Sequence, residues 1–257
     1  MAIRVGIGII TCNRKDVLLE TLARVRAHTQ SPCVLAVADD GSDDGTADAV
    51  RSQQITLVTG QNMGIAWNKN RALFLLGNMM QCDVVILLED DSFPTKDGWE
   101  QEWVLAAQRW GHVNLAGEWF RNSFLKGTGT LDDPIFSKDI TAQCSGFSRA
   151  ALVHGGYFDS RFRGYGFEHV EHSRRLVRVG YGGSFEDIDG EVMPIYKLLT
   201  SNIAVTNPIS FSNPADRERN EMLCRELLFE ETYRMPWRDD TELNQFRGEI
   251  AQALRPA

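Results

Sequence analysis

The sequence has few cysteines, and their spacing does not fit the common sites that need them. Its five cysteines are an odd number and lie far apart, at Cys12, Cys33, Cys82, Cys144 and Cys224. No CxxC pair occurs, which argues against a zinc centre and a redox dithiol. Reduced thiols are typical of cytosolic proteins, so we expect a cytoplasmic location.

The sequence also has no apolar run long enough to cross a membrane. Its apolar start, residues 1–15, is short and interrupted by glycine. This pattern favours a buried first strand over a signal peptide. Any contact with a membrane would therefore be peripheral.

Positive charge is scarce as well. The chain carries 27 Lys and Arg against 35 Asp and Glu, a net charge of −8. Proteins that act on nucleic acid usually present a basic face, so we expect no nucleic-acid partner. With 257 residues, of which 43% are hydrophobic, the chain can form one α/β domain with additional lobes.

Short β-branched runs alternate with amphipathic segments through the first 95 residues. We predict strands at 3–10, 34–38, 55–59 and 84–88, and helices at 16–28, 45–52 and 62–76. This order implies right-handed crossovers and a mostly parallel sheet flanked by helices. Further along, we predict strands at 112–120 and 141–148, and helices at 99–109, from residue 149, and from the segment 164–172 to about residue 179. We also predict a loop at 121–140, short strands within loops at 186–214, and helices over the last forty residues.

Polar clusters follow three of the predicted parallel strands, at residues 11–14, 39–42 and 89–92. Ligands of such sheets bind outside the carboxyl ends of the strands. The three clusters should therefore meet on one rim of the sheet, and this convergence predicts a binding site there.

The triplet Glu89-Asp90-Asp91 ends an apolar strand. Buried carboxylates need a positive partner, and Mg²⁺ or Mn²⁺ held by carboxylates and substrate phosphates would supply one. Strand alternation places Glu89 and Asp91 on one side and Asp90 on the other. The alternative is an acidic loop that caps the helix near Trp99.

Two other acidic segments also have both functional and structural interpretations. Asp39-Asp40-Gly41-Ser42 can accept hydrogen bonds from a nucleobase or a ribose, or it can form an Asx turn before a helix. In the segment 168–172, the two glutamates are three residues apart, and so are the two histidines, so each pair shares one helix face. Glu168, Glu171 or His169 could act as a general base, and His172 could complete a metal site. The alternative is a helix start rich in Glu for electrostatic reasons.

Together these elements resemble the family 2 glycosyltransferases, which have the GT-A fold. The similar segments are Ile9 to Arg14, Ala38 to Thr46, Asn62 to Asn70, Leu88 to Ser92, and Gly166 to Glu171. The resemblance covers roughly residues 3–185. Two positions differ from the family pattern: Cys12 stands where Tyr is usual, and His169 stands where the catalytic Asp is common.

The resemblance implies a nucleotide-diphosphate-sugar donor, with a UDP-sugar expected first, and metal-assisted transfer to a hydroxyl acceptor with inversion. The acceptor could be a carbohydrate, a lipid-linked or another hydroxyl compound. The implied donor site comprises Thr11, Asn13, Arg14, Asp39, Asp40, Gly41, Asn62, Lys69 and Asp90. Asp91 is implied as the first metal ligand, followed by Glu89 and His172, and Glu168, His169 and Glu171 are the candidates for the base.

For the acceptor, the resemblance points to the strand around Gly146 and to Trp119 and Tyr165 as sugar-stacking aromatics, although core packing explains each equally well. It divides the chain into a GT-A catalytic domain at 1–215, with a nucleotide-sugar-binding half at 1–95 and an acceptor-binding half at 96–215, and a helical C-terminal extension at 216–257. Sugar-phosphate nucleotidyl transfer and a non-catalytic binding module stay open as alternatives, as do peripheral membrane contact and assembly into a homo-oligomer.

Overall fold

The computed structural model describes residues 3–206 and 213–255. The first part alternates strands and helices as predicted. It comprises β1 (Val5–Thr11), α1 (Lys15–His28), β2 (Cys33–Asp39), α2 (Thr46–Ser52), β3 (Thr56–Thr59), α3 (Ile65–Leu73) and β4 (Val84–Glu89). A π-helical segment, Phe74–Met79, continues α3. All seven residues of β1 are buried, which explains its nearly uncharged sequence.

The second part is less regular. It comprises β5 (Ser92–Pro94), α4 (Trp99–Trp110), β6 (His112–Leu115), a 3₁₀ helix (Glu118–Ser123), β7 (Phe124–Lys126), β8 (Ile135–Ser137), β9 (Cys144–Ser148), α5 (Arg149–Gly155), α6 (Glu168–Arg178), β10 (Gly183–Ile188), β11 (Glu191–Leu199), β12 (Ile203–Val205), α7 (Pro214–Glu226), a 3₁₀ turn (Leu227–Phe229) and α8 (Asp240–Ala253). No helix within the described ranges is both long and apolar enough to cross a bilayer.

One mixed sheet organises the described residues, in the order β3-β2-β1-β4-β9-β6-β11-β8-β7, with β10 paired to β11. Strands β3, β2, β1 and β4 are mutually parallel. Strand β9 runs antiparallel between β4 and β6. The sheet therefore has a parallel half, whose strand ends share one rim, and a mixed half beside it.

Glycine in β1 lets α3 lie directly against the sheet. A Cβ atom at Gly8 would come within 2.9 Å of the Leu87 side chain and 3.2 Å of Ala72 in α3. Contacts this close leave no room for a side chain. The two glycines of the apolar start thus serve packing, and they bring α3 over the ends of β1 and β2.

Helix α8 is part of the same core. The Phe246 ring is completely buried and contacts Trp67, Phe74 and Trp237 edge-on or tilted, with centroids 5.3 to 5.6 Å apart. Buried Glu249 on the same helix accepts hydrogen bonds from the indole of Trp67. The end of the described chain therefore packs on the outer side of α3.

Three predictions for the second half are wrong. The strand expected at 112–120 ends at Leu115, and a 3₁₀ helix follows, because Gly117 and the exposed Trp119 and Phe120 leave the sheet. The loop expected at 121–140 contains β7 and β8. The region 186–214 contains the nine-residue β11, while residues 207–212 lie outside the described part of the chain.

We expect Phe246→Ala to lower the free energy of unfolding by about 3–5 kcal/mol, because it removes a ring from a packed aromatic cluster. Urea unfolding followed by circular dichroism would measure this change. Phe229→Ala is the matched control, since Phe229 is 92% exposed and its removal should have little effect. Equal losses in both variants would contradict the placement of α8 in the core.

Candidate functional site

The ends of β1 and β4 are joined by direct side-chain contacts. Thr11, the last residue of β1, donates a hydrogen bond from its hydroxyl to Asp90 Oδ2 at 2.7 Å. Arg14 follows in the next turn, and its guanidinium contacts Asp90 Oδ1 at 2.7 Å and Asp91 Oδ2 at 3.1 Å. The polar clusters after these two strands therefore meet on one rim, as their positions in the parallel sheet predict.

The prediction that Asp90 points to the opposite side from Glu89 and Asp91 is wrong. Strand β4 ends at Glu89, and the chain turns through Asp90 and Asp91 before β5. Because of this turn, both aspartates face the same guanidinium, that of Arg14. Glu89 points elsewhere and pairs with Lys69 at 3.3 Å.

Asp90 and Asp91 are each only 3% exposed. Burial raises the pKa of Asp90 to about 7, although Thr11 and Arg14 act in the opposite direction. Two adjacent buried carboxylates thus share one half-exposed cation, the arrangement that a bound divalent ion would replace. The two carboxylates suit Mg²⁺ or Mn²⁺, ions that proteins commonly hold by one or two carboxylates while substrate phosphates complete the coordination. Among the described residues, no group of three or more His, Cys, Asp or Glu is placed to hold a metal ion, so the predicted ligands Asp91, Glu89 and His172 are not brought together.

The side chains of Asp39 and Asp40 form hydrogen bonds that hold the loop after β2 in place. Asp39 accepts hydrogen bonds from Ser42 and from Thr59 Oγ1, the latter at 2.7 Å. Asp40 accepts from the backbone NH groups of Met63 and Gly64 at 2.9 and 2.8 Å. Burial raises the pKa of Asp40, partly offset by these NH groups and by the adjacent Arg71 guanidinium. Asp40 thus holds the β2 loop against the start of α3, and Asp39 ties the same loop to the end of β3.

Gly41 makes this close approach feasible. Its φ is +73°, and a Cβ atom there would come within 2.8 Å of the backbone of Gly60 and Asn62. On the outer side, the Asn13 carboxamide accepts from the backbone of Asp43, and the Asn62 amide approaches Cys12 Sγ at 3.4 Å. Asn13 and Asn62 are among the exposed polar residues of this rim.

Lys69 lies beneath the rim and is 2% exposed. Its ammonium group contacts Glu168 at 2.9 Å and Glu89 at 3.3 Å. Burial alone would lower the pKa of Lys69, but the two carboxylates raise it above its usual value. The resemblance placed Lys69 at the donor, whereas the structure uses it to join the end of β4 to the start of α6.

A cavity of about 490 Å³ opens beside Glu89. It lies between the 3₁₀ helix, the segment 138–143 that precedes β9, and the first turn of α6. Trp119, Phe120 and Tyr165 line it, and each is 37% exposed. Polar lining is contributed by Glu89, Lys138, Asp139, Gln143, Glu168, His169 and Arg217. The predicted stacking residues Trp119 and Tyr165 thus share one cavity with two of the base candidates.

The three base candidates occupy different environments. Glu168 is 2% exposed and bonded to Lys69, whereas the adjacent His169 side chain is 22% exposed. Glu171 is 3% exposed and bonded to Arg175 Nε at 2.6 Å. Arg175 in turn donates to the backbone carbonyl groups of three residues, Gly155, Tyr157 and Thr232. Glu171 therefore supports the packing of α6 and does not line the cavity.

Two predicted site residues are not brought to the rim. His172 is fully buried, its Nε2 contacts the Gly156 carbonyl oxygen at 2.9 Å, and its ring packs on Phe158. Burial lowers the pKa of His172 well below its usual value, so its neutral ring belongs to the core. Gly146 lies in the middle of β9, where a Cβ atom would meet Val113 at 3.0 Å. Glu171, His172 and Gly146 act in packing because α6 and β9 turn these positions inward.

The sequence reasoning missed residues that support or line the site. Arg71 is fully buried and joins Asp40 to Glu249. The Asn68 amide donates to the carbonyl oxygens of Thr11 and Ala38 and so ties two strand ends together. Polar residues at four successive helix positions, 68–71, were the available signal, because a helix packed on a sheet usually buries apolar ones. Arg217 on α7 had no sequence signal.

Comparison with known proteins identifies the family. The sequence profile of Glycosyl transferase family 2 matches residues 7–153, more than half of the chain. The chain belongs to this family. The match confirms the resemblance seen in the motifs and the glycosyltransferase class that it implied. A search of curated proteins found no match.

Solved structures support the fold. Similar chains include TarS 1–349 from S. aureus, with a TM-score of 0.59, 14% identity and coverage of 98% of this chain and 71% of that one. GalNAc-T7 with UDP, GalNAc and Mn²⁺ has a TM-score of 0.60, 13% identity and coverage of 97% and 54%. The mannosyltransferase PcManGT from Pyrobaculum calidifontis, with GDP-Man and Mn²⁺, has a TM-score of 0.54, 19% identity and coverage of 69% and 52%. The matches confirm the predicted GT-A architecture, and the chain spans about half the length of the last two proteins.

We expect Arg14→Gln to strengthen binding of Mn²⁺ alone by about fivefold or more. A unit charge about 4 Å away contributes about 1 kcal/mol even in water, and Arg14 repels a cation at Asp90 and Asp91. Electron paramagnetic resonance of free Mn²⁺ measures this affinity. Arg51→Gln is the control, since Arg51 pairs only with the exposed Asp48. Weaker binding in Arg14→Gln would contradict the two aspartates as the cation site.

Proposed function

We propose that this family 2 glycosyltransferase moves a sugar from a nucleotide-diphosphate-sugar donor to a hydroxyl acceptor with inversion. The observation that carries the proposal is the adjacency of two sites. The paired carboxylates Asp90 and Asp91 lie at the end of β4, and the aromatic-lined cavity opens at Glu89, the residue just before them. A donor held at the carboxylates would present its sugar toward the cavity.

The donor half of the proposal rests on the rim. A divalent cation bound at Asp91 and Asp90 would neutralise the diphosphate and the charge that develops on the leaving nucleoside diphosphate. Asn13 and Asn62 offer exposed amide groups beside the carboxylates for ribose or base. Relatives crystallised with UDP and with GDP-Man support a nucleotide donor, and UDP-sugars are the first to test.

The acceptor half rests on the cavity. Trp119 and Tyr165 present partly exposed aromatic faces, which suit the apolar face of a sugar ring. Lys138, Gln143 and Arg217 supply hydrogen-bond donors around them. A saccharide, free or lipid-linked, therefore fits the acceptor cavity best.

Inversion requires a base on the acceptor side and no covalent sugar–enzyme intermediate. Glu168 and His169, at the first turn of α6, are the titratable residues of that turn that line the cavity. Together with Glu89 at the end of β4, they line the cavity in which an acceptor would bind. A single displacement, with the acceptor on one side of the sugar and the diphosphate on the other, matches this arrangement.

The test is a panel of UDP- and GDP-sugars with Mn²⁺, read first by thermal shift, because a ligand that binds the native state raises its stability. Turnover of the donors that bind is then followed by nucleoside diphosphate release, and the anomeric configuration of the product by NMR. Release of pyrophosphate would indicate nucleotidyl transfer. Binding without turnover, in the presence of saccharide acceptors, would indicate a non-catalytic module.

We expect Asp91→Asn to lower Mn²⁺-dependent turnover by at least about 100-fold, because a bound metal contributes several kcal/mol of charge stabilisation. Circular dichroism should show an unchanged fold. Asp48→Asn, a change of an exposed aspartate on α2, is the control and should leave turnover unchanged. Full activity of Asp91→Asn would exclude Asp91 as a metal ligand.

A further inference from the structure

At the first turn of α6, one carboxylate oxygen links a buried cation to a histidine. Glu168 Oε1 accepts a hydrogen bond from Lys69 Nζ at 2.9 Å and lies 3.3 Å from His169 Nδ1. Lys69 also contacts Glu89. A continuous row of charged and polar groups therefore runs from the end of β4 to the acceptor cavity, and His169 is its last member.

Glu168 and His169, the two residues at the cavity end of this row, differ in their access to solvent. The second oxygen of Glu168, Oε2, is shielded from solvent and has no hydrogen-bond partner among residues 3–206 and 213–255. The Glu168 side chain is 2% exposed, and that of His169 is 22% exposed. An acceptor hydroxyl in the cavity can thus reach the imidazole, while both carboxylate oxygens are shielded.

The stable negative charge of Glu168 also favours His169 over Glu168 as the proton acceptor. Burial alone would raise the pKa of Glu168, but the ammonium of Lys69 and then His169 more than offset this and lower it far below its usual value. A carboxylate that holds its negative charge so firmly is a poor proton acceptor. It is, however, a good partner for an imidazolium ion, whose charge it stabilises.

The contact also selects the form of the histidine ring. A carboxylate only accepts hydrogen bonds, so a neutral His169 that bonds to Glu168 carries its proton on Nδ1. Its lone pair is then on Nε2, the nitrogen that does not contact Glu168. The ring is therefore held in the tautomer that can accept a proton at Nε2.

We propose that His169 is the general base, that Glu168 positions it, and that Lys69 fixes Glu168. This assignment rests on the proposed sugar transfer and deepens it. The acceptor O–H bond breaks and its proton moves to Nε2, while the acceptor oxygen bonds to the anomeric carbon. The bond from that carbon to the diphosphate oxygen breaks, and the leaving nucleoside diphosphate keeps the electron pair. Glu168, one of the three base candidates from the sequence, becomes a positioning residue.

Other charged groups also face this cavity, and any pH effect has to be separated from theirs. They are Glu89 from β4, Lys138 and Asp139 after β8, and Arg217 from α7. Lys69 from α3 lies behind the lining and contacts Glu168. Glu89 is compensated by Lys69, and Asp139 is bonded to Ser123. His169 is the histidine among the described residues that line the cavity.

The first experiment uses His169→Gln and His169→Ala in the full chain, with a donor found in the panel. We expect transfer to fall by about 100-fold or more in both, since general bases contribute about 10²–10⁴-fold. Donor binding with Mn²⁺, read by thermal shift, should stay unchanged. Added imidazole should restore part of the transfer in His169→Ala, an effect that a purely structural role of His169 would not give. His154→Ala, a change of an exposed histidine bonded to Tyr181, is the control.

The second experiment tests the positioning role with Glu168→Gln, which keeps the size of the side chain. We expect a lower transfer rate, because the imidazolium that forms during transfer loses its carboxylate partner. NMR of ¹⁵N-labelled histidine gives a readout without turnover, and the chain has five histidines to assign. His169 should be protonated on Nδ1 in the unaltered protein and become a mixture of tautomers in Glu168→Gln.

The outcomes distinguish this proposal from the proposed function. Full transfer by His169→Gln with an unchanged pH profile, or an Nε2-protonated His169 in the unaltered protein, would overturn the assignment of the base and leave sugar transfer standing. No transfer by the unaltered protein across the donor panel would overturn the proposed function, and the assignment with it.

Discussion

The carboxylates gathered where the parallel strands end are compensated mainly by shared cations, and the arrangement of the site follows from these ion pairs. Asp39 is the exception, because it accepts hydrogen bonds from Ser42 and Thr59 instead. Uncompensated burial of a charge costs several kcal/mol. Three cations meet this need, each from an element that the sheet brings close. Arg14 pairs with Asp90 and Asp91, Lys69 with Glu89 and Glu168, and Arg71 with Asp40 and Glu249. The rim is thus a set of shared cations rather than a set of free carboxylates.

The three cations differ in exposure, and this difference divides the site by function. Arg71 is fully buried and Lys69 nearly so, and both bind carboxylates that hold elements together. Arg14 is 35% exposed, which makes it the cation that a bound metal can displace. Lys69 and Arg71 therefore form the more buried part of the rim, while Asp90 and Asp91 are paired with the partly exposed Arg14.

Much of the parallel half could be predicted from the sequence, because β-branched runs, amphipathic helices and acidic strand ends each have a local signature. The meeting of Thr11 with Asp90 follows from parallel strand order alone. The orientation of Asp90 could not be predicted, since a turn after Glu89 replaces the expected alternation. Likewise, the first turn of α6 has a polar sequence, yet tertiary packing decides that His169 faces the cavity while Glu171 and His172 face inward.

The ion pair between Arg71 and Glu249 links residues 178 positions apart. During synthesis the first four strands leave the ribosome long before residue 249 does, and N-terminal segments generally fold first. Before residue 249 is made, Arg71 has Asp40 as its carboxylate partner, and Glu249 is the partner added when α8 packs on α3. The two ends of the described chain thus meet at one buried guanidinium, so the packing of the helix after β3 depends on a residue near the far end of the sequence.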